Sequence, residues 1–101
     1  MFITMNRFQI QEGREAEFEE MWRTRESYLH EVEGFVEFRF LRGPEGEYVS
    51  HTTWESREAF ERWVGSESFH KAHARAAQTP KDLFKGPAKL SFYEVLISSG
   101  K

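Results

Sequence analysis

The chain has no cysteine among its 101 residues. Disulfide bonds, thiolate nucleophiles and cysteine-type zinc sites are therefore excluded. No apolar run approaches the length of a membrane span, and the opening MFITMNRFQI lacks the basic start and long apolar core of a secretion signal. We expect a cytoplasmic protein that does not enter a membrane.

Positive charge is not in excess either. The 14 basic and 17 acidic residues are interspersed and leave a net charge of −3. Because no basic stripe is present, we predict that the protein does not bind nucleic acid. A glycine-rich phosphate loop, a GxSxG elbow and an HExxH pair are also missing from the sequence.

Aromatic side chains, by contrast, are abundant. Ten Phe, three Trp and three Tyr make up 16% of the chain. A phenylalanine-rich core accounts for such a content, but surplus aromatic rings also line pockets for flat ligands and partner surfaces. Composition alone leaves both interpretations open.

The alternation of apolar and polar residues predicts four strands in a single domain that spans residues 1–101. The first strand covers residues 2–10, and the last covers residues 89–97. Between them, residues 35–42 and 47–54 form a hairpin around a Gly- and Pro-containing turn.

Two helical regions separate these strands. The first follows Gly13 and continues to Val32, with Gly34 as its stop signal. The second begins at the N-cap Ser56, is interrupted at Gly65-Ser66 and continues to Ala77. The resulting order, β-α-β-β-α-β, is the ferredoxin-like arrangement of the α+β class.

The sheet is predicted to have an apolar face without helices. Two helices cover only one face of a four-stranded sheet, yet the first and last strands carry apolar residues on both faces. The uncovered set is Ile3, Met5, Tyr93, Val95 and Ile97. A second copy of the same sheet is the simplest cover, which predicts a homodimer that forms a dimeric α/β barrel.

His73 is the first candidate for chemistry. It lies four residues after Phe69 and three before Ala76, which predicts an inward-facing ring, whereas His70 beside Lys71 is predicted to face solvent. A lone imidazole makes a poor zinc site but a normal haem site, because the porphyrin supplies four further nitrogens. A hydrogen-bonded core histidine is the alternative interpretation.

Asn6 and Trp63 are the other two candidates. The amide of Asn6 shares its strand face with Phe8, where it needs hydrogen-bond partners, either from the backbone or from a ligand. Trp63 precedes His73 by ten residues, a spacing that would turn the two side chains apart on one continuous helix. The interruption at Gly65-Ser66 allows both to face one cavity, although Trp63 is also explained as core packing.

In this frame, Asn6, Trp63 and His73 resemble the haem-degrading monooxygenases of the IsdG/MhuD type, within the antibiotic biosynthesis monooxygenase superfamily. The likeness covers nearly the whole chain. It includes EGF at 33–35, TTWES at 52–56 and AFERWVGSESFHKAHARA at 59–76.

The resemblance implies a role for each residue. His73 would be the axial iron ligand, with Asn6 and Trp63 on the opposite side of the haem. The Asn6 amide would stabilise developing negative charge, and the Trp63 indole would press on the macrocycle and distort it. Arg25 would pair with a haem propionate. This sequence also departs from the pattern, because His70, one turn from His73, offers a second imidazole that could compete as the ligand.

The implied activity is that of a haem oxygenase. Haem (iron protoporphyrin IX) would be both substrate and cofactor, and O2 with an electron donor or reductase would convert it to a linear tetrapyrrole and free iron. Two alternatives stay open at this point. One is a cofactor-independent monooxygenase of the same superfamily acting on an aromatic quinol or polyketide, and the other is a haem-binding protein without catalysis.

Overall fold

The computed structural model describes residues 1–25, 28–76 and 79–100, without the side chains of residues 75 and 76. Its four strands are β1 (Phe2–Gln9), β2 (Phe35–Arg42), β3 (Glu47–Trp54) and β4 (Lys89–Glu94). They form one antiparallel sheet in the order β2-β3-β1-β4. The predicted ferredoxin-like α+β fold is confirmed, and the hairpin strands begin and end at the predicted residues.

The predicted length of the first helix is wrong. Helix α1 covers Glu15–Thr24, and Arg25 after it is extended, with φ −70° and ψ 130°. At its end the Thr24 hydroxyl donates to the carbonyl of Glu20 at 3.0 Å, a side-chain bond that competes with helix continuation. Leu29 continues the three-and-four spacing of apolar residues past Thr24 because it is also buried. It belongs, however, to a separate 3-10 turn, Leu29–Glu31.

The second helical region has the predicted interruption. Helix α2 covers Arg57–Val64 and helix α3 covers Glu67–Ala76. The Ser56 hydroxyl accepts from the Ala59 amide, and the Ser66 hydroxyl accepts from the Phe69 amide, each at 3.2 Å. Both serines therefore act as N-caps. The predicted last residue of this segment, Ala77, lies outside the described residues.

The core consists of two clusters at opposite ends of the sheet. One contains the buried residues Phe2, Leu29, Trp54 and Ala59. The other contains Ile10, Phe18, Tyr48 and Leu83. Because Phe2 and Ile10 stand near the two ends of β1, the middle of the strand is left between the clusters, and its side chains on the helical side face a cavity rather than a packed layer.

The face of the sheet without helices is less apolar than predicted. The register places Met5 beside His51 and Ser91, so polar side chains share this face with Ile3 and Tyr93. Val95 and Ile97 lie beyond β4 instead of within it, and Ile97 is 91% exposed. β4 ends at Glu94 because this residue pairs with Phe2, the first residue of β1. Beyond the strand, the Val95 amide donates a hydrogen bond to the carbonyl oxygen of Met1.

The described helices are short. Within the described parts of the chain, no helix combines the length and the apolar character that crossing a membrane requires.

Candidate functional site

A cavity of about 1000 Å³ lies between the helices and the middle of the sheet. This volume is at the upper end of the roughly 300–1,000 Å³ that is usual for small-molecule sites. Most of its lining is apolar and aromatic, which suits a large flat ligand. The sheet contributes four polar side chains to the lining, Thr4 and Asn6 from β1 and Ser50 and Thr52 from β3.

All four residues singled out in the sequence line this cavity. Asn6 comes from β1, Arg25 from the segment after α1, Trp63 from α2 and His73 from α3. Four separate elements thus bring these side chains together. Their chemical roles remain predictions at this point.

His73 differs from its prediction in exposure. Its side chain is exposed at the edge of the cavity and not enclosed, because α3 forms a wall of an open cleft. The ring stacks on Phe69 with 3.8 Å between the centroids. His70 is also exposed, but it does not line the cavity.

The hydrogen bond of His73 determines which ring nitrogen is available for a metal. Nδ1 lies 2.9 Å from the carbonyl oxygen of Phe69. Because a carbonyl oxygen only accepts, Nδ1 must carry the hydrogen, and the lone pair of the neutral ring is on Nε2. An imidazole that donates one N–H to a backbone carbonyl while its other nitrogen binds a metal is the usual arrangement in metalloproteins.

Asn6 and Trp63 each have a buried polar atom that lacks a partner. Within the described residues, the buried side-chain nitrogen and oxygen atoms without a hydrogen bond are Asn6 Oδ1 and Trp63 Nε1. Each such atom costs about 1–3 kcal/mol of stability. Both belong to residues lining the same cavity, so the arrangement points to a ligand that supplies polar atoms there.

Trp63 also packs in the core. Its ring centroid lies 5.4 Å from that of Trp54, 4.8 Å from that of Phe69 and 6.4 Å from that of Phe60. Trp63 therefore both packs in the core and lines the cavity. The packing fixes the indole, and one edge still faces the cavity.

Two cations contribute to the lining. The Arg25 guanidinium lies 4.5 Å above the centroid of the Trp22 ring, and Lys81 stands at the start of a 3-10 turn, Lys81–Leu83. The early end of α1 is what brings Arg25 to the cavity. Sequence reasoning missed Lys81, because the surrounding Pro- and Gly-containing loop has no periodicity from which to place it.

The comparison with known families agrees with this site. Residues 1–75 match the model of the antibiotic biosynthesis monooxygenase family. The chain belongs to this family. This match confirms the predicted superfamily. The matched region includes β1 and most of α3, the elements that contribute Asn6 and His73.

Within this monooxygenase family, curated relatives carry the name heme-degrading monooxygenase. The relative from Listeria welshimeri is 46% identical over 56 residues, which cover 50% of this chain and 46% of the relative. The match thus spans about half the length of these curated relatives.

Solved structures extend the likeness over the whole chain. MhuD from Mycobacterium tuberculosis, with two hemes bound in its active site, is 27% identical with a TM-score of 0.77, covering 99% of this chain and 100% of that one. A variant of MhuD with two manganese protoporphyrin IX molecules bound per active site is 28% identical with a TM-score of 0.81, and both chains are covered completely.

Proposed function

We propose that this chain is a haem-degrading monooxygenase that binds haem in the cavity and cleaves the porphyrin with O2 and electrons. The products are free iron and a linear tetrapyrrole. The observation that carries this proposal is the meeting of the His73 ring with the unpaired polar atoms of Asn6 and Trp63 around one large apolar cavity. The likeness to MhuD, which binds heme, supports the same ligand.

The described residues fit haem in three respects. His73 would hold the iron through Nε2, while the Nδ1 hydrogen bond to Phe69 fixes the orientation of the ring. The aromatic walls would bury the macrocycle, whose apolar area supplies much of the binding energy. Arg25 and Lys81 would neutralise the propionates, Arg25 with a paired set of N–H donors.

Haem, when bound, supplies the iron at which O2 is activated and is itself the substrate. The part of Asn6 is to donate a hydrogen bond to oxygen as negative charge develops. A half turn about its Cβ–Cγ bond presents either the amide oxygen or the NH2 group to the cavity. Because β1 holds the backbone in place, the donor is preorganised and little reorganisation accompanies the reaction.

The part of Trp63 is to shape the cavity. Its ring is held between Trp54 and Phe69, so it cannot move aside when a flat ligand enters. Contact with such a wall would favour a distorted shape of a bound macrocycle. The indole N–H, which is buried and has no partner in the described parts of the chain, also offers a hydrogen bond inside the cavity.

The proposal is tested by adding hemin to the protein, then a reductant in air, and following the Soret band. We expect a shifted Soret band on binding, then its loss, with release of chelatable iron, and no loss under argon. A Soret band that persists in air and reductant would make the protein a haem carrier. Absence of any Soret shift would favour the cofactor-independent oxygenase.

We further propose that the protein is a homodimer through the face of the sheet without helices. Met5 lies in β1 at the middle of this face, half-buried and beside His51 and Ser91. Met5→Lys should dissociate the dimer, because it would bury an unpaired ammonium group. Gln11→Lys, at an exposed loop position, is the matched control and should leave the dimer intact.

Light scattering at micromolar concentration measures this effect. Wild-type protein and the Gln11 variant should have about twice the chain mass of 12.0 kDa, and the Met5 variant should have the mass of one chain. A wild-type mass of one chain would overturn the dimer proposal.

A further inference from the structure

A stack of three aromatic rings leads away from the cavity. Trp22, from α1, lines the cavity, and its ring lies parallel to that of Phe40, with 4.7 Å between centroids and 16° between planes. Phe40 stacks in turn on Tyr48, at 5.3 Å and 7°. Trp22 and Tyr48 are therefore separated by a single ring.

The far end of the stack is a tyrosine whose hydroxyl faces a base. Tyr48 is 1% exposed, and its hydroxyl donates to Glu19 Oε2 at 2.5 Å. Arg42 lies 3.2 Å from the same carboxylate oxygen, and Arg23 lies 3.3 Å from the other. The carboxylate thus connects a buried phenol to exposed cations at the protein surface.

The protonation states of this pair are well defined at neutral pH. The hydrogen bond from Tyr48, followed by the interactions with Arg42, keeps the pKa of Glu19 below its usual value. Burial, together with the Glu19 carboxylate, raises the pKa of Tyr48 to about 12. The pair is therefore a neutral phenol that donates to an ionised carboxylate, which is the arrangement from which a phenol is oxidised with loss of its proton.

We propose that Trp22, Phe40 and Tyr48 form an electron-transfer route that carries oxidising equivalents from the cavity to the Tyr48–Glu19 pair. Trp22 would give an electron to an oxidant formed when a peroxide reacts with iron in the cavity, a step that rests on the proposed function. The route from Tyr48 to Trp22 does not depend on it. Its function is protective, because stray oxidation would end on a reducible tyrosine instead of destroying His73 or Trp63.

The step balances in electrons and protons. One electron passes from Tyr48 through the bridging Phe40 to the Trp22 radical cation, which returns to the neutral indole. The O–H bond of Tyr48 breaks, and its proton moves along the hydrogen bond to the Glu19 carboxylate. A soluble thiol or ascorbate then supplies an electron to the tyrosyl radical, and Glu19 returns the proton.

The charges along the stack favour this direction. The Arg25 guanidinium, 4.5 Å above Trp22, opposes positive charge on the indole. The Glu19 carboxylate accepts the proton that Tyr48 loses on oxidation, so the tyrosyl radical that results carries no charge. The oxidising equivalent is therefore expected to leave Trp22 and settle on Tyr48.

Pulse radiolysis of the haem-free protein tests the route directly. Azide radicals remove one electron from tryptophan, and the decay of the tryptophan radical is followed together with the growth of tyrosyl absorbance. We expect a first-order transfer phase whose rate is independent of protein concentration. Tyr48→Phe, which keeps the stacked ring, should lose this phase, and Trp22→Phe should lose it as well.

Matched variants decide between this route and others. Tyr93→Phe, on the other face of the sheet, should keep the transfer phase. Glu19→Gln leaves all rings in place and should slow the phase, because the proton acceptor is gone. Retention of the phase in Tyr48→Phe, or its loss in Tyr93→Phe, would overturn the proposal. Because no haem is present, failure here is distinguishable from failure to degrade haem.

Discussion

His73→Ala is expected to abolish the five-coordinate haem spectrum, because His73 is the proposed axial ligand of the iron. Loss of a group that merely supports a metal ligand typically costs 10–100-fold in affinity, and loss of the ligand itself should cost more than about 100-fold. The apolar walls would still retain some haem, but without a defined ligand. Hemin titrations followed by absorbance and resonance Raman spectroscopy measure both effects.

His70→Ala is the matched control for this experiment. His70 stands on the same helix and is exposed, but it does not line the cavity, so its removal should leave spectrum and affinity unchanged. Added imidazole should restore the ligated spectrum of the His73 variant by binding in the vacated space. If His70→Ala lost the spectrum and His73→Ala kept it, the proposed ligand would be wrong.

Asn6→Ala is expected to separate binding from turnover. The substitution removes a hydrogen-bond donor from the cavity but leaves His73 and the apolar walls, so haem affinity should change little. The rate of haem degradation should fall about a hundredfold, since one preorganised donor to developing negative charge is worth on the order of 3 kcal/mol. Single-turnover loss of the Soret band in air, set against hemin titrations, measures this split.

Stability measurements exclude a structural explanation of that result. Asn6 Oδ1 is buried without a hydrogen-bond partner among the described residues, so Asn6→Ala removes an unfavourable group and should not lower the melting temperature. Trp63→Phe keeps a smaller aromatic ring and should lower the rate only partly. Unfolding or loss of haem binding in Asn6→Ala would show instead that the amide is structural.

The sequence predicted the boundaries of the hairpin and the break between α2 and α3 because each has a local chemical signal. Ser56 and Ser66 form caps, and the turn between β2 and β3 is rich in glycine and proline. The end of α1 has no such signal. Phe18 and Leu29 share helical spacing but are buried in different core clusters, so periodicity alone joined two elements that tertiary packing separates.

The meeting of Asn6, Trp63 and His73 at one cavity was also predictable from local signals in the sequence. The break at Gly65 freed Trp63 from the helical phase of His73, and the parity of β1 placed Asn6 on the helical side. The exposure of His73 was not predictable, since it depends on how far α3 stands from the sheet. Lys81 was missed because a loop brings it to the cavity, and loop conformation leaves no periodic pattern in a sequence.

A core in two parts has a consequence for cooperativity. The clusters around Trp54 and Tyr48 are anchored at opposite ends of the sheet, and the space between their helical layers is the cavity. A ligand there would serve as the missing middle of the core, in contact with both halves. Binding would then couple the two clusters more strongly, and we expect the cooperativity of unfolding to rise with the concentration of ligand.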